Sequence, residues 1–229
     1  MNKKILNKDY ESIDKWHQDK TFNLKYSDYK PGSKYRFYDP TFVKPLQSLC
    51  KKYIKFKPII TKNIEKFLYD NDITNTNTLS IHIRGTDMFS DVLFKNMNHA
   101  SGQKKLIDYE TYIKPYIIKS LETKNCNKLF LATDEQEIYD HIKKDFNSIL
   151  IKYETNLAPK NSQIGLHYIN QNKDFYTKYQ TGIDVLTEIG IMSSCKYSLY
   201  MKSNVSLVSI LMRNNLNYEF IDDHIDYTL

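Results

Sequence analysis

The amino-acid sequence predicts an α/β fold built on a parallel sheet. From residue 79 onward, short apolar strands alternate regularly with segments of helical periodicity. This order is typical of a parallel sheet with helices on both faces. The 229 residues, 41% of them hydrophobic, are enough to form a substantial core. Right-handed crossovers would then bring the start of each helix to the carboxyl edge of the sheet.

Five segments have the composition of strands and are bounded by polar turns. They are residues 79–83, 128–132, 148–153, 197–201 and 218–221. In the first segment Leu79, Ile81 and Ile83 alternate with Ser80 and His82. This period of two predicts a strand that packs one face against the core.

Helical spacing of apolar residues predicts the remaining elements. The predicted helices cover residues 10–16, 42–56, 60–69, 108–121, 133–146, 183–195 and 203 to about 213. Pro58 is expected to end the second helix, and Pro115 to kink the fourth. Thr133 and Asp134 are expected to cap the fifth helix, and Ser203 the last one.

The helix at 183–195 is expected to turn Ile183, Leu186, Ile189 and Met192 inward, with Asp184 and Glu188 on its other face. Residues 88–105 and 154–181 show no clear period and are predicted to be long loops.

Two regions are expected along the chain. Residues 1–75 would form a reduced, helical N-terminal region, and residues 76–229 a Rossmann-like domain. The first 20 residues are polar and mixed in charge, unlike a signal peptide or membrane anchor. No apolar run approaches ~18 residues, so no integral membrane segment is expected and the predicted location is cytoplasmic.

Charge and cysteine content narrow the possible functions. The net charge is +6, but the lysines are spread along the chain. This favours a solvated basic surface over a nucleic-acid interface, although a modest positive field also suits a nucleotide ligand. Cys50, Cys126 and Cys195 lack the spacing of zinc ligands or of a disulfide framework. Neither an Asp-x-Asp at a strand end nor a His/carboxylate cluster predicts a metal site.

Candidate site residues follow the first predicted strand. Arg84 and Gly85 come directly after it, at the edge where open α/β sheets bind ligands. An arginine beside a glycine suits an anion such as a pyrophosphate. The alternative is an Arg84–Asp87 pair that only stabilises a turn.

Two further groups are predicted at the same edge. Asp134 follows the second strand, and residues 203–206, Ser-Asn-Val-Ser, begin the helix after the fourth. The free N–H groups of a helix N-terminus suit a phosphate. Simple N-caps remain the alternative for both Ser203 and Asp134. The glycine patterns of dinucleotide-binding folds and P-loops are missing from the sequence, so neither type of phosphate site is expected.

Three motifs in this order resemble the fucosyltransferase superfamily, which includes α1,2-, α1,6- and protein O-fucosyltransferases. Residues 82–87, His-Ile-Arg-Gly-Thr-Asp, are similar to its His-x-Arg-Arg-x-Asp motif. Residues 131–135 resemble its second motif, a strand that ends in Ser/Thr-Asp-Asp. Residues 188–196 with 203–206 resemble the third in order and spacing. The likeness covers residues 79 to 214.

The resemblance implies an inverting, metal-independent transferase of the GT-B class. Such an enzyme moves L-fucose from GDP-fucose, its donor substrate, to a hydroxyl of a glycan or glycoconjugate, without a cofactor. The C-terminal domain would bind the donor, and residues 1–75 would lie on the acceptor side. Arg84 would bind the pyrophosphate, His82 and Glu188 the guanine, and Ser203, Asn204, Val205 and Ser206 the phosphates.

The catalytic base is left between Asp87 and Asp91, which follow the first motif. Asp87 is also the expected partner of Arg84, and Asp91 is one position away from a loop glutamate of the α1,6 enzymes. Gly85 replaces the second arginine of the motif, and Glu188 stands where α1,6 enzymes have Asp. A transferase for another nucleotide sugar and a non-catalytic nucleotide- or glycan-binding domain remain as alternatives.

Overall fold

The computed structural model describes residues 40–84, 109–159, 173–201 and 203–221. Within them, five strands form one sheet in the order β3-β2-β1-β4-β5, with every neighbouring pair parallel. The strands are β1 (Thr78–Ile83), β2 (Lys128–Thr133), β3 (Leu150–Lys152), β4 (Tyr197–Tyr200) and β5 (Tyr218–Phe220). The predicted α/β fold class, a Rossmann-like parallel sheet flanked by helices, is confirmed.

Six α-helices accompany the strands in the described residues. They are α1 (Pro40–Tyr53), α2 (Pro58–Asp70), α3 (Lys114–Thr123), α4 (Gln136–Phe146), α5 (Phe175–Ser194) and α6 (Asn204–Met212). The chain divides into two compact units, Met1–Phe42 and Val43–Leu229, and the sheet belongs to the second. The expected division near residue 75 stays a prediction. The helix predicted at 10–16 and the loop at 88–105 lie outside the described residues.

Strand β1 is buried on both faces, although its alternation predicted only one packed face. All six residues of Thr78–Ile83 are buried. The polar residues of the second face have partners, which makes their burial tolerable. Ser80 Oγ lies 2.5 Å from Ser198 Oγ on β4, and His82 contacts the N-terminal turn of α6.

Helix α2 packs against α5 through a close approach at Gly190. Ile60 and Ile64 of α2 are buried, and a Cβ placed on Gly190 would overlap the Ile64 side chain. The ring of Phe56 lies 3.5 Å from that position. Glycine therefore fits this point of α5 because any side chain would require Ile64 to move.

Several predicted helix boundaries are wrong. Helix α1 ends at Tyr53, and Pro58 begins α2 instead of ending α1, since proline is well suited to the first turn of a helix. Pro115 does not kink an α-helix. It lies at the start of α3, after a π-helical turn at Tyr109–Ile113. Asp108, where the fourth helix is predicted to begin, lies outside the described residues.

The largest error concerns α5, which begins at Phe175 instead of residue 183. Asp174 caps it, since its carboxylate accepts from the Thr177 N–H at 3.0 Å and from the Thr177 hydroxyl at 2.8 Å. The added turns carry the aromatic residues Phe175, Tyr176 and Tyr179 among polar ones, and the aliphatic periodicity begins only at Ile183. Within α5, Leu186 is 36% exposed, so its predicted inward position is also wrong.

A buried arginine joins the end of α5 to the sheet. Arg213 is fully buried and donates to the carbonyl oxygens of Met192 and Cys195, each at 2.8 Å. It also donates to Ser198 Oγ on β4. These bonds satisfy carbonyls that the end of a helix leaves free, so we assign Arg213 to the structure of the core rather than to the site.

Candidate functional site

The candidate site lies at the carboxyl ends of β1, β2, β3 and β4. Strand β1 pairs with β2 on one side and with β4 on the other. The chain order of the strands reverses between β1 and β4, and in open α/β sheets ligands bind at such a point. In register, His82 lies between Ala132 of β2 and Tyr200 of β4. Residues that follow these strands therefore meet at one edge.

His82 is hydrogen-bonded to the first turn of α6. Its Nδ1 lies 3.0 Å from Ser206 Oγ, and Ser206 Oγ donates to the Met201 carbonyl oxygen at 2.5 Å. The only hydroxyl proton of Ser206 is thereby used, so Ser206 Oγ accepts from Nδ1–H of the histidine. We therefore place the imidazole proton on Nδ1, which leaves Nε2 as an acceptor.

The ring of His82 stays neutral at physiological pH. Burial, with a smaller contribution from the positive charge of Arg84, lowers the pKa of His82 to about 4. The hydrogen bond to the Met201 backbone acts in the opposite direction. A neutral ring with a fixed tautomer can recognise a ligand N–H or O–H without adding charge.

Ser203 caps α6 as predicted. Its side chain accepts from the Ser206 N–H at 3.1 Å, and Ser206 is buried. Asn204 is exposed and Val205 is partly buried. Helix geometry leaves their two N–H groups without an intrahelical acceptor. The partial positive charge at this end of α6 favours an anion.

Arg84 follows β1 directly and is partly buried. Its charge reaches His82, because it contributes to the lowered pKa of that ring. The structure therefore brings a guanidinium, a neutral imidazole and the N-terminus of α6 to one part of the edge.

Glu188 belongs to a second group, next to the ends of β2 and β3. Its side chain is only 12% exposed, and its Oε1 has no hydrogen-bond partner among the described residues. Burial is the main cause that raises the pKa of this carboxyl, and Asp184 and Asp134 raise it further. The charge of Lys152 acts in the opposite direction. A buried acceptor without a donor is costly to keep, which is typical of a residue that serves a ligand.

Lys152, at the end of β3, is the cation that faces Glu188. Its Nζ lies 3.9 Å from Glu188 Oε1, beyond hydrogen-bonding distance. The ammonium donates instead to the Tyr153 carbonyl at 2.9 Å and to Thr155 Oγ1 at 2.8 Å. Lys152 thus acts on Glu188 through its field and leaves the carboxylate oxygen open to a ligand.

Asp134 belongs to this second group, but its predicted role as a helix cap is wrong. The N-cap of α4 is Glu135, which makes no side-chain capping bond. The hydroxyl of Thr133 accepts from the Glu135 N–H at 3.2 Å. Asp134 is close enough to Glu188 to help raise the pKa of that carboxyl.

Lys152 is a site residue that the sequence analysis does not predict. A lysine that ends the strand segment Leu-Ile-Lys follows the same logic as Arg84 after β1, so the signal was present. Asp184, predicted on the same helix face as Glu188, contributes to the raised pKa of that carboxyl. Gly85, Asp87 and Asp91 lie outside the described residues, so their predicted roles stay predictions.

The described residues were also compared with the requirements of metal sites, disulfides and membrane-spanning helices. In the described part of the chain, no group of three His, Cys, Asp or Glu side chains is placed to hold a metal ion. Cys50, Cys126 and Cys195 are free thiols. No helix in the described ranges is long and apolar enough to cross a bilayer.

Comparisons with known proteins return structural neighbours only. No family model and no curated protein matches the sequence. A crystal structure of POFUT1 in its apo form has a TM-score of 0.44 and 13% identity, and the match covers 79% of this chain and 49% of POFUT1. The complex of POFUT1 with GDP-fucose has a TM-score of 0.48 and 12% identity, and the match covers 80% of this chain and 50% of POFUT1. The complex with GDP has a TM-score of 0.42 and 13% identity, and the match covers 74% of this chain and 48% of POFUT1. The chain thus spans about half the length of the POFUT1 chains.

Proposed function

We propose that the protein is a glycosyltransferase that transfers L-fucose from GDP-fucose to a hydroxyl of a glycan or glycoconjugate. The observation that carries the proposal is Glu188 Oε1, a buried acceptor without a hydrogen-bond partner among the described residues. It lies at the same sheet edge as Arg84, His82 and the capped N-terminus of α6. The three motifs that resemble fucosyltransferases contain these same residues.

The two groups suit the two halves of a nucleoside diphosphate. Guanine presents N–H donors at N1 and N2, which match acceptors such as the carboxylate of Glu188 and Nε2 of His82. The diphosphate requires cations and N–H donors, which Arg84 and the first turn of α6 supply. Asp134 would act with Glu188 on the base side. Gly85, beside Arg84, would let the phosphates approach the backbone.

The proposed chemistry is direct displacement at the anomeric carbon with inversion. Negative charge develops on the departing GDP, and Arg84 with the N-terminus of α6 would stabilise it without a metal ion. The acceptor hydroxyl requires a base, for which Asp87 and Asp91 are the candidates.

Turnover of the donor tests the activity. The full chain is incubated with GDP-fucose and a mixed glycan pool, and release of GDP and fucosylation of the glycans are both measured. Fucosylated product that persists in EDTA supports the proposal. GDP release without product indicates hydrolysis, and no release in the presence of tight GDP binding indicates a non-catalytic binding domain. Release from UDP- or ADP-sugars, and not from GDP-fucose, would assign another donor.

A further inference from the structure

The connection between α1 and α2 exposes several large apolar side chains. Tyr53 is 68% exposed, Ile54 52% and Ile59 51%. We call residues 51–62 the basic corner. Three such side chains lie within seven positions of the chain, whereas exposed hydrophobic residues normally occur singly on protein surfaces.

The backbone of the basic corner is well anchored. Phe56 points inward and reaches the close approach at Gly190, and Ile60 is buried. The Ile54 N–H donates to the Cys50 carbonyl at 2.8 Å, and the Ile60 and Thr61 N–H groups donate to the Lys57 carbonyl at 2.9 and 3.1 Å. Because these bonds fix both ends of the connection, Tyr53, Ile54 and Ile59 point outward as part of the fold.

The same segment is strongly basic. Five exposed lysines belong to the basic corner: Lys51, Lys52, Lys55, Lys57 and Lys62. From residue 40 to residue 64 the chain has no Asp or Glu, so no acidic residue of this segment offsets their charge. Glu65 lies one turn beyond Lys62 on α2, so the local positive potential is centred on Lys51, Lys52, Lys55 and Lys57, although the lysines of the whole chain are spread out.

We propose that the basic corner docks onto an anionic lipid bilayer. The lysines would attract acidic headgroups, while Ile54, Ile59 and Tyr53 would enter the boundary between headgroups and acyl chains. A nucleic acid would engage the lysines and leave the isoleucines in water. A stable protein partner needs ~800 Å² per side, more than three side chains supply. This proposal is independent of the proposed fucosyl transfer.

Docking of this kind is peripheral and sensitive to salt. Each lysine near an anionic surface strengthens binding by about fivefold, and this contribution is screened beyond a Debye length of about 8 Å at physiological salt. Binding should therefore require acidic lipid and weaken steeply as salt is added.

Vesicle co-sedimentation of the full chain tests the proposal. The vesicles contain phosphatidylcholine alone or phosphatidylcholine with phosphatidylserine. We expect binding only with phosphatidylserine, and about a tenfold or larger loss for Lys57→Gln with Lys62→Gln. Ile54→Ser with Ile59→Ser should weaken binding to a similar degree. All four residues are exposed, so the variants should keep the wild-type melting temperature.

Lys143→Gln with Lys144→Gln provides the matched control. Both lysines are exposed on α4, and their replacement removes the same charge as the Lys57/Lys62 pair. If the control pair loses as much binding, or if the isoleucine pair has no effect, binding is a property of the net charge and the proposal is overturned. Absence of binding to acidic vesicles at low salt also overturns it.

Fluorescence adds a readout of insertion. The sequence has one tryptophan, Trp16, so a Trp16→Phe, Ile59→Trp variant reports only from the basic corner. Its emission should shift to shorter wavelength with acidic vesicles. Unshifted emission with bound vesicles overturns insertion of the isoleucines, and binding to an oligonucleotide without binding to vesicles assigns the surface to nucleic acid.

Discussion

Lys152 Nζ lies 3.9 Å from Glu188 Oε1, near enough to act on its charge and too far for a hydrogen bond. The ammonium is held in place by the Tyr153 carbonyl and Thr155 Oγ1. A buried ion pair without direct bonding gains little for stability. The arrangement leaves Glu188 available as a hydrogen-bond acceptor and lowers the stability of the folded protein.

Replacing Glu188 should therefore stabilise the protein at neutral and alkaline pH. The raised pKa of Glu188 means that its stabilising contribution is present below the ordinary value of 4.5 and is lost as pH rises through the folded-state pKa. Because glutamine does not ionise, the Glu188→Gln variant does not lose stability as the pH rises through this range. We expect the variant to gain about 1–3 kcal/mol at pH 8 and to match the wild type at pH 4, measured by urea unfolding. A less stable variant at pH 8 would mean that the pair with Lys152 is net stabilising.

Lys152 should set the pH range of guanine nucleotide binding. Its charge lowers the pKa of Glu188, so Lys152→Met should keep that carboxyl protonated to higher pH. The variant should bind GDP about tenfold more weakly at pH 7 and recover affinity as pH rises. Lys152→Arg should behave like the wild type. A loss of affinity in Lys152→Met that does not change with pH would assign Lys152 only a packing role.

Arg84→Ala should weaken GDP binding by ~1.5–3 kcal/mol, the scale of a charge-assisted hydrogen bond. Titration calorimetry measures the loss, and the melting temperature shows that the variant is folded. Guanosine, which lacks phosphates, provides the control and should bind both proteins equally. Equal GDP affinity in the two proteins would remove Arg84 from the phosphate site.

Buried His82 should make the fold sensitive to acid. A histidine whose folded-state pKa is lowered contributes stability above its ordinary pKa of 6.5 and loses it as pH falls to about 4. We expect up to about 3 kcal/mol of destabilisation over this window, measured by urea unfolding at several pH values. His82→Asn should flatten that slope. An unchanged slope in the variant would assign the acid sensitivity to other groups.

The elements that bring the site residues to one edge were largely predictable from the sequence. Each strand has a short apolar pattern, and Arg84 and Ser203 occupy positions that strand ends and helix starts define. Glu188 was placed by resemblance, but its burial was not predictable. That burial depends on the packing of α5 beside β2 and on the position of Lys152 at the end of β3, which are contacts between distant parts of the sequence that local periodicity does not report.

The burial and the hydrogen bond of His82 were also not predictable from the sequence. Alternation in 79–83 placed it on the less apolar face, and the structure buries that face because Ser206 supplies a hydrogen-bond partner from α6. Sequence separation of 124 residues makes such a pair invisible to local patterns. Asp134 shows the opposite case, since a cap signal was present and the helix begins one residue later.

Selective binding of GDP tests the central claim most directly. Calorimetric titration of the wild type with GDP, ADP and UDP should show tightest binding for GDP, without a requirement for Mg²⁺ or Mn²⁺. GDP-fucose, the donor of the proposed reaction, is titrated in the same series. Glu188→Gln should reduce the preference for GDP over ADP about tenfold or more, while the protein stays folded. Equal binding of the three nucleotides by the wild type, or binding of none, would contradict the account.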